Sequence, residues 1–361
     1  MRVLISVGET SGELYAERLV NTWRTVLPAT EFYALGGELL QKAGVSILYP
    51  YAGMSVMGIV EVWKARNTIV EAFNTITSFI VSKRPDFLIL VDFPGFNLKL
   101  ARFAHGRGCK VIYYSLPQLW IWGDWRVKAL KQYVDLRLVI LPFEQQFYER
   151  LGLKTYWVGH PLVEIVNDEL KHVADGPEVF LGLLPGSRVQ EVRSILPIML
   201  EVACHFNDKK IGIAPTKNTL PVVKSLVNNL PIVYFENPYT LMRKAKFLLV
   251  TSGTATLEAA LIGTPMAILY RTSYSFYWVA KLLTHVKYIG LPNIIAGHEI
   301  VPEFIQHHCN ADTIIQYLDE FFSHPELERK MRNELNKVRT LLGDKIASRE
   351  AINLIKQHFY G

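Results

Sequence analysis

The sequence predicts an α/β protein built from two Rossmann-like, doubly wound domains that face each other across a cleft. Three observations lead to this prediction. Short runs rich in Val, Ile and Leu alternate with segments of helical periodicity. The runs are apolar without interruption, which is typical of strands buried on both faces of a parallel sheet. The alternation stops in a polar stretch after Gly159 and then starts again, and 361 residues suffice for two such domains.

The first domain is predicted over residues 1–165. Its strands are expected at the continuous apolar runs, which occupy residues 2–8, 31–36, 86–92, 110–115, 136–141 and 156–159. Its helices are expected where apolar residues recur at helical spacing, at residues 13–27, 68–83, 98–105 and 143–151. A strand followed by a helix and a further parallel strand requires a right-handed crossover. These elements therefore form one parallel sheet covered by helices.

The second domain is predicted over residues 178–343, after a polar stretch at 167–177 that is interpreted as an interdomain linker. Its strands are expected at residues 179–184, 210–214, 232–235, 247–250 and 265–270, and its helices begin near Glu191, Leu220, Thr254 and Ser273. Only helical periodicity remains after Ala311. The last segment, residues 344–361, is expected to pack back against the first domain.

The composition indicates which partners and compartments to expect. Half of the residues are hydrophobic and a fifth are charged, which allows each domain its own core. A formal net charge of +6 favours an anionic partner, which could be a phosphorylated substrate, a nucleic acid or an acidic membrane surface. The three cysteines are far apart, so neither a zinc site nor a disulfide framework is predicted, and a reducing cytoplasm fits best. No apolar run approaches the ~18–20 residues needed to span a bilayer, and the chain is expected to be soluble or peripheral.

Ligands of doubly wound sheets bind beyond the carboxyl ends of the strands. The first such position is the turn from Gly8 to Gly12, where glycines allow close approach of a ligand and a helix N-terminus favours an anion. Thr10, Ser11 and Gly12 are therefore candidate binding residues. The turn lacks the GxGxxG pattern and has two acids beside it, Glu9 and Glu13, which argues against a dinucleotide. An ordinary turn capped by Thr10 or Ser11 is the alternative.

Asp92 is the candidate catalytic base, because it ends a buried strand of the first domain. Partial desolvation at that position raises the pKa of a carboxyl group toward the value of a useful general base. The alternative is that Asp92 caps a helix that starts near Asn97. Glu9 is the rival base, since it lies at the tip of a neighbouring strand.

A phosphate-binding loop is predicted after the first strand of the second domain. Gly186 and Ser187 present backbone N–H groups there, and Arg188 provides a guanidinium that binds phosphate in a bidentate fork. Glu191 lies three residues further on and is expected to anchor the loop. A plain surface charge at Arg188 is the alternative.

A second anion site is predicted where a buried strand runs into Ser252, Gly253 and Thr254 and then a helix of small residues. The N-terminus of such a helix binds a pyrophosphate without a metal. Glu258 is expected to accept hydrogen bonds from ribose hydroxyls, although a capping box has similar spacing. Asn293 lies on a proline-containing loop and could orient a base or phosphate, or bond its own turn.

Taken together, the ordered motifs resemble the lipid-A-disaccharide synthases, which are inverting glycosyltransferases of outer-membrane lipid A assembly. The resemblance extends from Val3 to about residue 340. It departs at Glu13, where the family usually has Asp, and at Leu116, where Ser or Cys is common. It rests on Gly8–Gly12, Val56–Gly58, Asp92 with Pro94 and Asn97, Pro117-Gln118 with Trp120 and Trp122, Pro142–Glu144, Gly159–Pro161, Leu184–Arg188, Ser252–Ala255 and Leu291–Asn293.

The resemblance implies a GT-B fold and a defined reaction. The donor would be UDP-2,3-diacylglucosamine and the acceptor 2,3-diacylglucosamine 1-phosphate (lipid X), with a β-1,6-linked disaccharide 1-phosphate and UDP as products. Asp92 would take the proton of the acceptor's 6-hydroxyl. Arg188 and the helix N-terminus at Ser252–Thr254 would stabilise the departing UDP, with no metal and no cofactor.

The resemblance also implies a peripheral protein on the cytoplasmic face of the inner membrane of a Gram-negative bacterium, with no nucleic-acid partner. The apolar, methionine-containing segment at 52–63 suits acyl chains, with interior packing as the alternative. Basic residues of the first domain are expected to dock it on anionic lipid, and they are Lys64, Arg66, Lys83, Arg84, Arg102, Arg107, Lys110, Arg126 and Lys128. Whether the chain forms a homodimer stays open. The alternative functions are another lipid-linked UDP-sugar transferase, a UDP-sugar epimerase of the same fold, and a non-catalytic nucleotide-sugar-binding module.

Overall fold

The computed structural model describes residues 1–51, 66–122, 124–173, 178–228, 230–272 and 287–360. The chain divides into two compact units. Unit 1 comprises Met1–Pro161 together with Asp344–Gly361, and unit 2 comprises Leu162–Gly343. The methionine-containing segment at 52–63 and the helix expected near Ser273 lie outside the described residues.

Unit 1 is built on a parallel sheet of seven strands in the order β3-β2-β1-β4-β5-β6-β7. The strands are β1 (Arg2–Ser6), β2 (Glu31–Gly36), β3 (Ser46–Pro50), β4 (Phe87–Val91), β5 (Lys110–Tyr114), β6 (Leu136–Val139) and β7 (Tyr156–Trp157). Its helices before unit 2 are α1 (Thr10–Val26), α2 (Glu38–Lys42), α3 (Arg66–Lys83), α4 (Pro94–His105), α5 (Leu119–Trp122), α6 (Val127–Tyr133) and α7 (Pro142–Arg150). All five residues of β4 are buried, because helices cover both faces of the sheet.

The strand order of unit 1 reverses at β1. The chain runs from β1 outward through β2 and β3, and then returns to place β4 on the other side of β1. The two strands pair in parallel from Val3 opposite Phe87 to Ser6 opposite Leu90. The crossovers that leave β1 and β4 diverge, so a crevice opens at the carboxyl ends of these two strands. Glu9 and Asp92 both follow strands at this reversal.

Unit 2 repeats this arrangement with a parallel sheet of six strands in the order β10-β9-β8-β11-β12-β13. The strands are β8 (Val179–Leu184), β9 (Ile211–Ile213), β10 (Ile232–Tyr234), β11 (Ala245–Thr251), β12 (Met266–Tyr270) and β13 (Glu303–Ile305). The helices are α8 (Pro161–Leu170), α9 (Val189–His205), α10 (Leu220–Val227), α11 (Pro238–Lys244), α12 (Thr254–Ile262), α13 (Leu291–Ala296), α14 (Ala311–Ser323) and α15 (Pro325–Leu342). The order reverses between β8 and β11, so this sheet also opens a crevice at the carboxyl ends of two neighbouring strands.

The prediction of two doubly wound α/β domains is confirmed, but several boundaries differ. Helix α1 begins at Thr10 instead of Glu13, because the backbone N–H of Glu13 already bonds the carbonyl of Glu9 at 3.0 Å. Helix α4 begins at Pro94, well before the expected start at residue 98. The predicted linker is partly helical, since α8 continues to Leu170. Strands β3 and β13 were not predicted.

The C-terminal helix α16 (Ala347–Tyr360) belongs to unit 1 and packs on α1. Thr22 of α1 donates a hydrogen bond from its hydroxyl to that of Ser348 at 2.8 Å. The ring of Phe359 lies with its centroid 5.1 Å from that of Phe87 in β4. Among the described residues, no helix is both long and apolar enough to cross a membrane.

Asn97 joins the two strands at the reversal of unit 1. Its side chain is fully buried, and its Oδ1 accepts a hydrogen bond from the Ser6 hydroxyl at 2.7 Å. Its Nδ2 donates to the carbonyl of Asp92 at 2.7 Å and lies 3.3–3.4 Å from the carbonyls of Val91 and Ser6. The sequence suggested Asn97 as a helix cap, whereas the N-cap of α4 is Phe93. Asn97 instead fixes the carboxyl ends of β1 and β4 to each other.

Asn97→Ala is expected to destabilise the protein by about 2–3 kcal/mol, because it leaves the buried Ser6 hydroxyl without its partner and removes one of the two side-chain donors to the Asp92 carbonyl. Urea unfolding at neutral pH measures this change. Lys99→Ala on the exposed face of the same helix is the control and should change the free energy of unfolding by less than about 0.5 kcal/mol. Equal effects of the two substitutions would contradict the role assigned to Asn97.

Candidate active site

Two carboxyl groups meet at the reversal of unit 1. Glu9 follows β1 and Asp92 follows β4, and their side chains are hydrogen-bonded to each other. Burial raises the pKa of Asp92 to about 8, and the charge of Glu9 raises it further in the same direction. Two carboxyl groups bond directly only when one of them holds a proton, so the pair shares a proton near neutral pH. The structure thus brings together the two residues predicted as rival bases.

The backbone at Asp92 is held in an unusual conformation. Asp92 and Phe93 have φ angles of +46° and +48°, in the left-handed region that side chains rarely adopt. The hydroxyl of Tyr113 donates to the Asp92 carbonyl at 2.6 Å, on the same oxygen that Asn97 contacts. The Phe93 ring covers Gly8, where an added Cβ would lie 2.2 Å from the ring. Gly8 therefore serves the packing of Phe93, and these contacts together fix where the Asp92 carboxyl points.

The other residues of the predicted turn lie in the first turn of α1. Thr10 is exposed and Ser11 is half-buried, while Gly12 is buried against β4. The Thr10 hydroxyl lies 3.3 Å from that of Tyr51. No side chain caps α1, since Glu9 holds the N-cap position without a capping hydrogen bond. The alternative in which Thr10 or Ser11 caps this helix is therefore not observed.

Glu13 is a buried acid that anchors this region. Its Oε2 accepts a hydrogen bond from the Tyr51 hydroxyl at 3.0 Å, and its Oε1 accepts one from the backbone N–H of Leu40 at 3.0 Å. Burial raises the pKa of Tyr51 to about 12, so its hydroxyl stays a donor. Glu13 thus ties the start of α1 to Tyr51, which extends beyond the end of β3.

Glu144 is a second buried acid that the site analysis of the sequence missed. Its carboxylate accepts hydrogen bonds from the indole N–H of Trp120 at 3.1 Å and from the backbone N–H groups of Leu141 at 2.9 Å and Ile140 at 3.2 Å. Burial raises the pKa of Glu144 to about 7. Its position three residues after the N-cap of α7 is the spacing of a capping box, which was a usable signal.

His160 lies in the Gly159–Pro161 motif, one of those on which the resemblance rests. Its imidazole is buried, and burial lowers its pKa to about 3, so it is neutral at physiological pH. Its ring meets that of Tyr15 edge-on at a centroid distance of 5.8 Å. This environment is that of a packed core histidine.

The Gly186–Arg188 loop of unit 2 follows β8 at the second reversal. Gly186 has a φ of +103°, and an added Cβ would lie 2.8 Å from the Glu191 carboxylate. Arg188 donates to that carboxylate at 2.8 Å, which confirms the expected anchoring by Glu191. Ser187 is exposed at the tip of the loop. The loop is therefore pinned at its base while its tip and part of the guanidinium face solvent.

The strand β11, adjacent to β8, leads into the second predicted anion site. Ser252 donates its backbone N–H to the carbonyl of Leu269 at 3.0 Å, and α12 begins two residues later at Thr254. Gly253 is exposed in the N-cap position and supplies no capping side chain. N–H groups of the first turn are consequently available to an anion. The structure brings this helix start to the same edge of the sheet as the Gly186–Arg188 loop.

Glu258 lies one turn into α12. Its Oε1 accepts a hydrogen bond from the Tyr239 hydroxyl at 2.8 Å, and burial raises the pKa of the carboxyl group. The capping-box alternative is not observed, because the N-cap of α12 forms no side-chain hydrogen bond. Tyr239 was not predicted, since nothing in the sequence near residue 239 indicates its distant partner.

Asn293 is fully buried in α13. Its Oδ1 accepts hydrogen bonds from the backbone N–H groups of Ile300 at 2.8 Å and Val301 at 3.1 Å. Its Nδ2 donates to the Val301 carbonyl at 2.9 Å and to Glu303 at 2.8 Å. Glu303 also accepts from the backbone N–H groups of Ile289 and Gly290. The amide of Asn293 thus holds the segment after α13, and it also binds Glu303, whose carboxylate holds the loop before α13.

A known protein family matches nearly the whole chain. The model of the family described as lipid-A-disaccharide synthetase matches residues 3–357. The lipid-A-disaccharide synthase of Persephonella marina is 35% identical, over 99% of this chain and 98% of the relative. That of Trichlorobacter lovleyi is 37% identical, over 98% of this chain and 96% of the relative. The predicted resemblance is therefore confirmed.

Solved structures with low sequence identity share the fold. The glycotransferase of kitacinnamycin superposes with a TM-score of 0.69 at 13% identity, covering 99% of this chain and 98% of that one. The UDP-GlcNAc 2-epimerase from Neisseria meningitidis, solved bound to UDP-GlcNAc, gives a TM-score of 0.67 at 14% identity, covering 99% of this chain and 100% of that one. The fold is shared with epimerases as well as glycosyltransferases, so it does not identify the family, whereas the two sequence relatives above are both synthases. This chain has the GT-B fold and belongs to the lipid-A-disaccharide synthetase family of glycosyltransferases.

Proposed function

We propose that this chain transfers 2,3-diacylglucosamine from UDP-2,3-diacylglucosamine to the 6-hydroxyl of 2,3-diacylglucosamine 1-phosphate. The products are a β-1,6-linked disaccharide 1-phosphate and UDP. The observation that carries the proposal is the carboxyl pair of Asp92 and Glu9 at the reversal of unit 1. A base in this position can remove the proton of an attacking hydroxyl group. The family indicates which sugars react.

Asp92 acts as the general base in this proposal. Its carboxylate takes the proton of the 6-hydroxyl while that oxygen bonds the anomeric carbon of the donor. The bond from this carbon to UDP breaks in the same displacement, so the configuration inverts. A base whose pKa lies near the working pH is efficient, and burial together with Glu9 brings Asp92 to about 8.

The second reversal supplies the proposed UDP site. Backbone N–H groups at Gly186–Ser187 and Gly253–Thr254, together with the Arg188 guanidinium, stabilise the negative charge of the leaving UDP. The backbone N–H of Ser252 does not take part, because it is already bonded to the Leu269 carbonyl. Glu258, oriented by Tyr239, accepts hydrogen bonds from the ribose. Asn293 contributes indirectly, because its amide is already hydrogen-bonded to the backbone of the segment after α13 and holds that segment in place.

Thr10, Ser11 and Gly12 are proposed to contact the acceptor. They form the first turn of α1, immediately after Glu9, so their backbone and hydroxyl groups lie at the same edge as the carboxyl pair. The contact of Thr10 with Tyr51 gives this turn a fixed position.

Asp92→Asn is expected to lower kcat by roughly 10²–10⁴-fold, because the variant has no base, while its affinity for UDP stays unchanged. The assay is disaccharide synthesis from the two lipid substrates, with UDP binding followed by calorimetry. In the unsubstituted enzyme, kcat should rise as the pH rises through about 8, since Asp92 must be ionised.

Glu9→Gln separates the two candidate bases. If Asp92 is the base, this variant keeps most of its maximal kcat, and its pH profile moves to lower pH because the charge that raises the pKa of Asp92 is gone. A loss of kcat as large as that of Asp92→Asn, with no shift of the profile, would instead assign the base to Glu9.

Arg188→Ala is expected to weaken UDP binding by roughly 10- to 100-fold, the effect of losing a charged hydrogen-bond donor to phosphate. Arg193→Ala is the matched control, because Arg193 is an exposed arginine in the helix that Arg188 precedes. Unchanged UDP affinity in Arg188→Ala by calorimetry would refute the phosphate-binding role.

Peripheral membrane binding is proposed for one edge of unit 1. Arg66 begins α3 and Lys128 lies in the first turn of α6, and both helices start from the carboxyl edge of the sheet. Lys83 and Arg84 precede the amino end of β4 and therefore lie at the opposite edge. Arg102, Arg107 and Lys110 likewise lie toward the amino edge. The basic residues are thus divided between two edges, and only the carboxyl-edge group adjoins the carboxyl pair.

Arg66→Gln with Lys128→Gln is expected to weaken binding to phosphatidylglycerol-containing vesicles by roughly 30-fold, since each of the two charges contributes about 1 kcal/mol near the surface. Flotation at low salt measures the binding. Lys83→Gln with Arg84→Gln removes the same charge from the opposite edge and should have little effect. Equal losses in the two pairs, or no salt-sensitive binding at all, would contradict docking through the carboxyl edge.

A further inference from the structure

Arg126 carries a buried donor that has no partner. Its Nε is inaccessible to solvent and forms no hydrogen bond in the described part of the chain. Within the same residues, its guanidinium forms no ion pair at 4.0 Å or less. Leaving a buried donor unsatisfied is unfavourable, so an arginine in this state is typical of a site that a ligand completes.

The position of Arg126 places it at the proposed active site. Arg126 directly precedes α6, and Asp92 lies two residues before α4. These two helices pack together and both start from the carboxyl edge of the sheet. Burial lowers the pKa of Arg126, and the charges of Tyr113 and Asp92 oppose that change, as expected for a guanidinium that faces the Asp92 strand end.

The acidic and phenolic groups near Arg126 are committed elsewhere. Asp92 is bonded to Glu9, and the carboxylate of Glu144 accepts three hydrogen bonds from Trp120 and the backbone. Tyr113 donates to the Asp92 carbonyl, and Tyr148 donates to a backbone carbonyl as well. None of these groups neutralises the guanidinium by an ion pair. The cation is therefore available to an anion brought by the substrate.

We infer that Arg126 binds the phosphate group of the acceptor. This inference rests on the proposed function, which places a sugar 1-phosphate at Asp92. In that sugar, C1 and C5 are both bonded to the ring oxygen, so the phosphate on C1 and the 6-hydroxyl lie within the width of one ring. When the hydroxyl reaches Asp92, the phosphate comes close to two carboxyl groups and requires a cation. A guanidinium meets this requirement with paired donors.

Trp125 supports this geometry. Its ring centroid lies 4.3 Å from the Cζ of Arg126, so the indole covers one face of the guanidinium. Stacking of this kind leaves the N–H groups at the edges of the guanidinium free for in-plane hydrogen bonds. A lysine lacks both the stacking face and the paired donors, and should replace Arg126 poorly.

The test compares two acceptors, 2,3-diacylglucosamine with and without its 1-phosphate. Arg126→Ala should raise KM for the phosphorylated acceptor by roughly 10- to 100-fold, the loss expected for a charged hydrogen bond. The same variant should change kcat/KM for the acceptor without phosphate by less than about threefold. Arg126→Lys should recover only part of the loss. Lys131→Ala, an exposed cation on the same helix, is the control and should match the unsubstituted enzyme with both acceptors.

The possible results separate three explanations. If Arg126→Ala impairs both acceptors equally, the phosphate role is overturned and the residue supports the fold or the base. If only the pH profile of kcat moves, Arg126 tunes Asp92 and the phosphate role is again overturned. If the unsubstituted enzyme forms no disaccharide from either acceptor, the proposed function fails and the phosphate role fails with it. Only selective loss of the phosphorylated acceptor supports the inference.

Discussion

The reversal of strand order in each sheet is the constraint on which the candidate residues of that sheet depend. Strands β1 and β4 are neighbours in unit 1, and β8 and β11 are neighbours in unit 2, although other strands separate each pair along the chain. Chain segments that are about 80 residues apart or more, such as Glu9 and Asp92, meet only for this reason. The carboxyl ends of parallel strands also lie at one edge of the sheet. Polar residues that follow different strands therefore come together at that edge.

The carboxyl pair is costly to hold, and the surrounding residues offset that cost. Asp92 has a left-handed backbone and a carboxyl group whose charge burial disfavours. Tyr113 and Asn97 bind its carbonyl, and Gly8 makes room for the Phe93 ring beside it. The proton shared with Glu9 removes one of the two charges. The unfavourable conformation thus persists because several independent contacts determine it.

The sequence predicted the elements of the two sheets better than the contacts between them. Continuous apolar runs identified most strands, because strands covered on both faces have no polar positions. Strand β3 was not predicted because its residues are only partly buried, and β13 was not predicted because its apolar run consists of Phe304 and Ile305 alone. The candidate residues at strand ends were found from local spacing. Their partners were not, since Tyr239 contacts Glu258 and Tyr51 contacts Glu13 over separations that no local pattern encodes.

The environment of Arg126 is another feature that the sequence did not predict. The sequence predicted Arg126 as one of nine basic residues of the first domain that dock on anionic lipid. In the structure its Nε is instead buried, near the strand end that carries Asp92. Unit 1 therefore brings to the same edge a shared proton and a guanidinium that forms no ion pair with any described residue. Such a site distinguishes the two ends of the acceptor. A hydroxyl group bound at the carboxyl pair is activated. A phosphate group at the same place is repelled, so it binds only at the guanidinium. The orientation of a sugar 1-phosphate then follows from where these two charges lie, without any contact to its ring.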